Sequence, residues 1–171
     1  IQALFSDQKD QLWVGTKNGL YRVQENENRI SSTIRIAPSY NFNVTDILED
    51  SFHNIWIGTL DKGLYVYNPS TGQVYHNNLY ELEGTTIMSM ASSESMIWMA
   101  TLQGVVSSPR NRNISTEKTA HFDVLNDPWQ STLHFVFQVF VDSKDRTWFA
   151  TDGDGIYCLQ GDSVRHYTGR D

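Results

Sequence analysis

Five histidines, one cysteine and a run of paired carboxylates are the residues of this 171-residue chain whose types could support chemistry. His53, His76, His121, His134 and His166 form no pair at the short or helical spacing a metal site uses, so no metal is expected. Cys158 stands alone, which excludes an internal disulfide and a thiolate metal cluster, and its apolar neighbours fit an inert buried thiol. Asp152-Gly153-Asp154-Gly155 opens like a calcium loop. Such a loop needs further oxygen ligands and a distal Glu, yet the fifth position here is Ile156. The run reads as a hairpin turn. No Ser-His-Asp order, Gly-rich phosphate loop or convergent acidic pair can be argued from the sequence, so neither a catalytic residue nor a cofactor is expected.

Composition narrows the partners. Thirteen Lys and Arg stand against 20 Asp and Glu, for a net charge of −7, which disfavours nucleic acid because phosphate contacts need clustered cations. The longest apolar run, Phe135 to Val141, is broken by Gln138. A membrane helix needs about 20 apolar residues, so no membrane contact by this chain is expected. The opening residues Ile1 to Asp7 lack the basic start and apolar block of a signal peptide.

The elements that would position any site come from an internal repeat. Leu12-Trp13-Val14-Gly15-Thr16, Ile55-Trp56-Ile57-Gly58-Thr59, Ile97-Trp98-Met99-Ala100-Thr101 and Thr147-Trp148-Phe149-Ala150-Thr151 align, with periods of 43, 42 and 50 residues. A polar turn follows each, then Gly19-Leu20-Tyr21, Gly63-Leu64-Tyr65, Gly104-Val105-Val106 and Gly155-Ile156-Tyr157. Upstream, Ile1, Val44, Ile87 and Val136 precede their Trp by 11 or 12 residues, and the extra length of the third repeat falls between Trp98 and Val136. Alternating stretches such as Val44–Glu49 read as half-buried strands, and Asn-, Asp- and Gly-rich turns fit tight hairpins. Each repeat therefore reads as strands A to D, with D at Ile30–Ile36, Val74–His76, Ala120–Asp123 and Val164–Tyr167.

Four-stranded units at 40 to 50 residues are the signature of a β-propeller. The expected fold is all-β: one propeller unit over residues 1–171, with four blades of four antiparallel strands at about 1–40, 41–83, 84–131 and 132–171. Trp13, Trp56, Trp98 and Trp148 are assigned to the scaffold, buried against the next blade, and the small residue two positions on leaves room where sheets approach. Three residues before each Trp stand Asp10, His53, Ser95 and Asp145; six before stand Asp7, Asp50, Ser92 and Asp142.

No Trp-Asp dipeptide closes a strand, as in WD40 repeats, and kelch double glycines are missing. The pattern resembles the two-component regulator propeller repeat over essentially the whole chain. The second repeat is most similar, with Ile47-Leu48-Glu49-Asp50, Ile55–Thr59 and Gly63-Leu64-Tyr65-Val66-Tyr67. The third departs most, at Ala100 and Val106, and the family's Gly three before Trp is replaced in all four. The resemblance implies a seven-bladed ring in the periplasmic sensor region of a bacterial hybrid two-component histidine kinase, of the kind common in glycan-sensing gut Bacteroidetes. Starting at strand A and stopping after strand D, the chain reads as a piece of such a sensor.

Propellers commonly use the face that bears the D–A and B–C loops. Here those loops supply Asn18, Tyr40, Asn41, Asn43, Asp61, Lys62, Gln103, Trp129, Gln130, Asp152 and Asp154. Amides and carboxylates beside an exposed aromatic ring suit an oligosaccharide, by hydrogen bonds and stacking. The expected function is a ligand-binding sensor module rather than an enzyme. A glycan-active hydrolase or lyase on the same scaffold, and a purely structural assembly module, are the alternatives. Four blades leave two terminal faces uncovered, so self-association through the terminal blades is expected as well.

Overall fold

The computed structural model describes residues 1–26, 29–76, 84–111, 123–124 and 135–169. They form four antiparallel four-stranded sheets. The first holds β1 (Ala3–Ser6), β2 (Leu12–Thr16), β3 (Gly19–Asn26) and β4 (Arg29–Ile36). The second holds β5 (Val44–Glu49), β6 (Ile55–Thr59), β7 (Leu64–Asn68) and β8 (Gln73–His76). β9 (Ile87–Ser92), β10 (Met96–Thr101), β11 (Gly104–Pro109) and β12 (Asp123–Val124) make the third. The fourth comprises β13 (Val136–Val141), β14 (Thr147–Thr151), β15 (Ile156–Gln160) and β16 (Ser163–Tyr167). Strand order in every sheet is the sequence order, and the first strands β1, β5, β9 and β13 pack against one another in succession. This is the all-β propeller architecture the repeat implies.

Register explains the core. Trp13 pairs with Phe5 and Arg22, Trp56 with Leu48 and Val66, Trp98 with Ala91 and Ser107, and Trp148 with Phe140 and Cys158. Because side chains alternate across a strand, each of these sets lies on one face, here termed the rear. Trp13 packs with Val44, Ile47 and Ile57 of the second sheet. Trp56 packs with Ile87, Met90 and Met99 of the third, and Trp98 with Val136, Val139 and Phe149 of the fourth. The close approach of sheets explains the small residue after each Trp. A methyl group built on Gly15 would lie 2.5 Å from Val44 Cγ1, and one on Gly58 would lie 2.9 Å from Ile87 Cγ2.

Trp148 departs from the expected burial. It is half-buried, since no described sheet covers the rear of the fourth. Phe140 beside it is 58% exposed and Ile156 46%.

The A–B turns share one device. Asp50 Oδ1 accepts the backbone N–H groups of Phe52 and Asn54, and Oδ2 accepts the Trp56 indole N–H at 2.9 Å. Asp7 and Asp142 bind Trp13 and Trp148 in the same way. In the third sheet the role falls to Ser93, not Ser92, because that turn is one residue shorter; Ser93 Oγ accepts the Trp98 indole N–H at 3.3 Å. Asp10, His53 and Asp145 take left-handed backbone conformations, with φ of 58°, 62° and 55°. The position that holds Gly in the repeat this chain resembles is left-handed in these three sheets, a conformation that Asp adopts more readily than most L-residues.

Candidate functional site

The B–C turns and D–A connections emerge at one end of every sheet, because strands A and C start where B and D finish. Asn18, Asn41, Asp61, Lys62, Gln103 and Asp152 are exposed at this end, while Asn43 and Asp154 are half-buried. Trp129 and Gln130 lie outside the described residues, as do His121 and His134.

Between the first and second sheets this end carries an aromatic cluster. A turn closed by the Tyr40 N–H on the Ala37 carbonyl, at 2.9 Å, lifts Tyr40 to the surface, where it is 37% exposed. Its ring stacks on buried Phe42 (5.5 Å between centroids, 12° between planes) and meets Tyr65 edge-on at 5.8 Å. Tyr65 in turn stacks on His76 at 4.1 Å. Burial, and then the neighbouring Tyr40 phenol, push the Tyr65 hydroxyl above its ordinary pKa, so it remains a neutral donor. Lys62 Nζ donates to the Asn41 carbonyl at 3.2 Å, and His76 Nε2 donates to the Lys62 carbonyl at 3.1 Å. Asp61, left-handed at φ 63°, donates its N–H to Thr86 Oγ1 of the following segment. Asn43 accepts the Leu60 N–H on its backbone carbonyl, while its side-chain Oδ1 is buried with no partner among the described residues. The result is an aromatic platform flanked by the Lys62 ammonium group and the exposed Asn41.

The remaining face residues do not join this cluster. Asn18 donates its N–H to Thr16 Oγ1 within its own hairpin, and Gln103 Oε1 accepts the Thr85 hydroxyl. Asp154 is tied to its own sheet: its carboxylate accepts the Tyr157 hydroxyl and its carbonyl accepts the His166 Nε2–H. Asp152, exposed, donates its N–H to the Phe135 carbonyl at 3.1 Å. Sequence reasoning missed Phe42, Tyr65 and His76. The signal was available: Tyr65 sits in the Gly-Leu-Tyr motif, and cross-strand pairing with β8 sets His76 opposite it. Cys158 is buried, and desolvation raises its thiol pKa, which leaves it a poor nucleophile. Among the described residues no three His, Cys, Asp or Glu side chains converge as metal ligands.

Sheets of this kind, stacked face to face with their B–C and D–A loops at one end, define a β-propeller. Residues 38–61, which include Tyr40, Phe42 and the Trp56 strand, match the two component regulator propeller family, so this segment carries that repeat. It is 35% identical over 78 residues to "Histidine kinase P4" of Formosa agariphila, a stretch covering 42% of this chain and 6% of the kinase. Among solved structures, it resembles the extracellular domain of a hybrid two component system from B. thetaiotaomicron, with TM-score 0.66 and 24% identity over 88% of this chain and 20% of that one. Virginiamycin B lyase from Staphylococcus aureus is similar in fold at TM-score 0.66 and 10% identity, over 97% of this chain and 54% of the lyase. The chain thus spans a small part of the kinase and of the extracellular domain it matches.

Proposed function

We propose that this chain is a ligand-binding part of the extracytoplasmic sensor region of a hybrid two-component histidine kinase, and that its cue is an oligosaccharide. The observation that carries the ligand class is the Tyr40 platform, an exposed ring held flat by Phe42 and Tyr65 beside Lys62 and Asn41. Sugar rings stack on such platforms through their C–H faces while amides and ammonium groups take the hydroxyls. The similarity to a histidine kinase over 78 residues supports the signalling context, and the extracellular domain of similar fold fits a periplasmic location. Ligand binding would act by population shift, biasing how propeller units or subunits pack and passing that bias to the kinase. In isolation the chain pairs with a second copy, rear of the fourth sheet against front of the first. Those two faces carry the positions that pack sheet on sheet inside the molecule.

A glycan array followed by calorimetry tests the reading. Binding of at least one oligosaccharide, weakened about five- to tenfold by Tyr40→Ala, is expected, since one stacked ring contributes about 1–1.5 kcal/mol. An array with no hits, or full binding by Tyr40→Ala, rejects the platform as the site.

A further inference from the structure

At the opposite end of the molecule, among the A–B turns, a cleft of about 370 Å³ opens between the first and second sheets. Asp7, Lys9 and Arg22 line it from the first sheet, and Glu49, His53 and Ser70 from the second. Arg22 breaks the repeat. Its register position, beside the Trp and facing the next sheet, holds Val66, Ser107 and Cys158 in the other three sheets, none of them charged. Its Nε is buried, and the guanidinium has no hydrogen-bond or ion-pair partner among the described residues. A buried guanidinium edge without an acceptor is costly to keep, and departures of this kind from a local rule concentrate where a ligand completes the site.

The acids that line the cleft are already committed. Asp7 Oδ1 accepts the Lys9 and Gln11 N–H groups and Oδ2 the Trp13 indole, at 2.8 to 2.9 Å. Glu49 Oε2 accepts the Gln8 N–H across the sheet boundary, and Oε1 accepts His53 Nδ1–H, each at 2.7 Å. The Arg22 fork and the exposed Lys9 ammonium are left as the unspent donors, on a chain whose net charge is −7. We infer that this cleft binds an oxyanion, a carboxylate, sulfate or phosphate group, held by the planar fork of Arg22 with Lys9 at its mouth. The fork matches the paired oxygens of such groups, and the Trp13 ring on the same face fixes the floor of the site. The site is distinct from the aromatic platform and lies at the other end of the sheets.

Titration of the purified chain with sodium sulfate, sodium phosphate and sodium glucuronate, at ionic strength held constant with sodium chloride, tests this. Saturable binding of at least one probe is expected, with a shift of the Trp13 indole N–H resonance that reports occupancy in the unaltered chain. The planar carboxylate probe is told from the two tetrahedral ones by geometry, and sulfate from phosphate by their separate titrations. Arg22→Val, which restores the residue type of the second repeat, should weaken binding at least tenfold, while Arg22→Lys should retain part of it because a point charge replaces the fork. The proposal is overturned if none of the three probes binds saturably. It is equally overturned if Arg22→Val binds as well as the parent chain, the result expected were the guanidinium only reaching past the cleft into solvent.

Discussion

The rear face of the second sheet and the rear face of the fourth carry the same kinds of residue at the same register positions. Leu48, Trp56 and Leu64 of the second are answered by Phe140, Trp148 and Ile156 of the fourth. Trp56 and Leu64 are wholly buried under the third sheet. Their counterparts are half-buried or exposed. At the other end of the stack, Leu4 on the front of the first sheet is 64% exposed, while its equivalent Ile47 is buried. Local sequence therefore sets the shape and polarity of each blade face, and only the neighbouring blade decides whether that face forms a core.

The largest effect should come from the uncovered faces themselves. If each holds about 500 Å² of apolar surface, leaving it wet forgoes roughly 12 kcal/mol, more than most folded domains have in reserve. Sedimentation at micromolar concentration should show a two-fold dimer, and Phe140→Glu with Ile156→Lys should return it to a monomer. A 19.6 kDa monomer that binds no exposed-surface dye would instead mean that the end faces are covered within one chain.

Truncation of the tryptophans sharpens the same comparison. Trp56→Ala should cost about 3–5 kcal/mol in denaturant melts, as a core cavity. Trp148→Ala, measured in the monomeric background, should cost less than half of that. Equal losses would show the fourth sheet's rear face to be as dry as the second's.

Overpacking comes next. Gly58→Val should cost about 1–3 kcal/mol, because its first carbon already collides with Ile87. Ala150→Val, at the equivalent position of the open face, should stay within about 0.5 kcal/mol. A large loss at Ala150 would again place a neighbour over the fourth sheet.

Titration separates the two regions by sign. Asp46, on the rear of the second sheet, is desolvated under the third, which raises its carboxyl pKa despite bonds from the Met90 and Ile47 N–H groups. Its raised folded pKa favours the protonated native state, so its contribution grows as pH falls from 7 towards 4. Asp142, in the A–B turn of the fourth sheet, is held well below the carboxylate range, first by the Arg146 side chain and then by the Trp148 indole and backbone N–H groups. Its contribution is complete above about pH 4 and disappears on further acidification. The stability of the parent chain relative to Asp46→Ser should therefore rise between pH 7 and 4. Relative to Asp142→Ala it should stay flat over that range and fall only below it. Parallel pH profiles for the two pairs would refute the assignment.

Much of this was legible in the chain itself. A repeat that holds register on both sides of Trp13, Trp56, Trp98 and Trp148 determines the strands, their order and the faces they bury, because period-two alternation and turn chemistry act over a few residues. The need for small residues at Gly15 and Gly58 followed from the same register. The indole acceptors are not assigned from the sequence, and in the third sheet a turn one residue shorter places that acceptor at Ser93, five before the Trp rather than six. What only the tertiary structure decided are the relations between sheets: that Trp148 lacks the cover Trp56 enjoys, that Tyr65 comes to brace Tyr40 and Phe42, and that Arg22 faces a cleft whose acids are already bonded. Each depends on a distance between residues some 20 to 45 positions apart or on a neighbour's presence, and the desolvation that gives those contacts their energy exists only once the sheets are stacked.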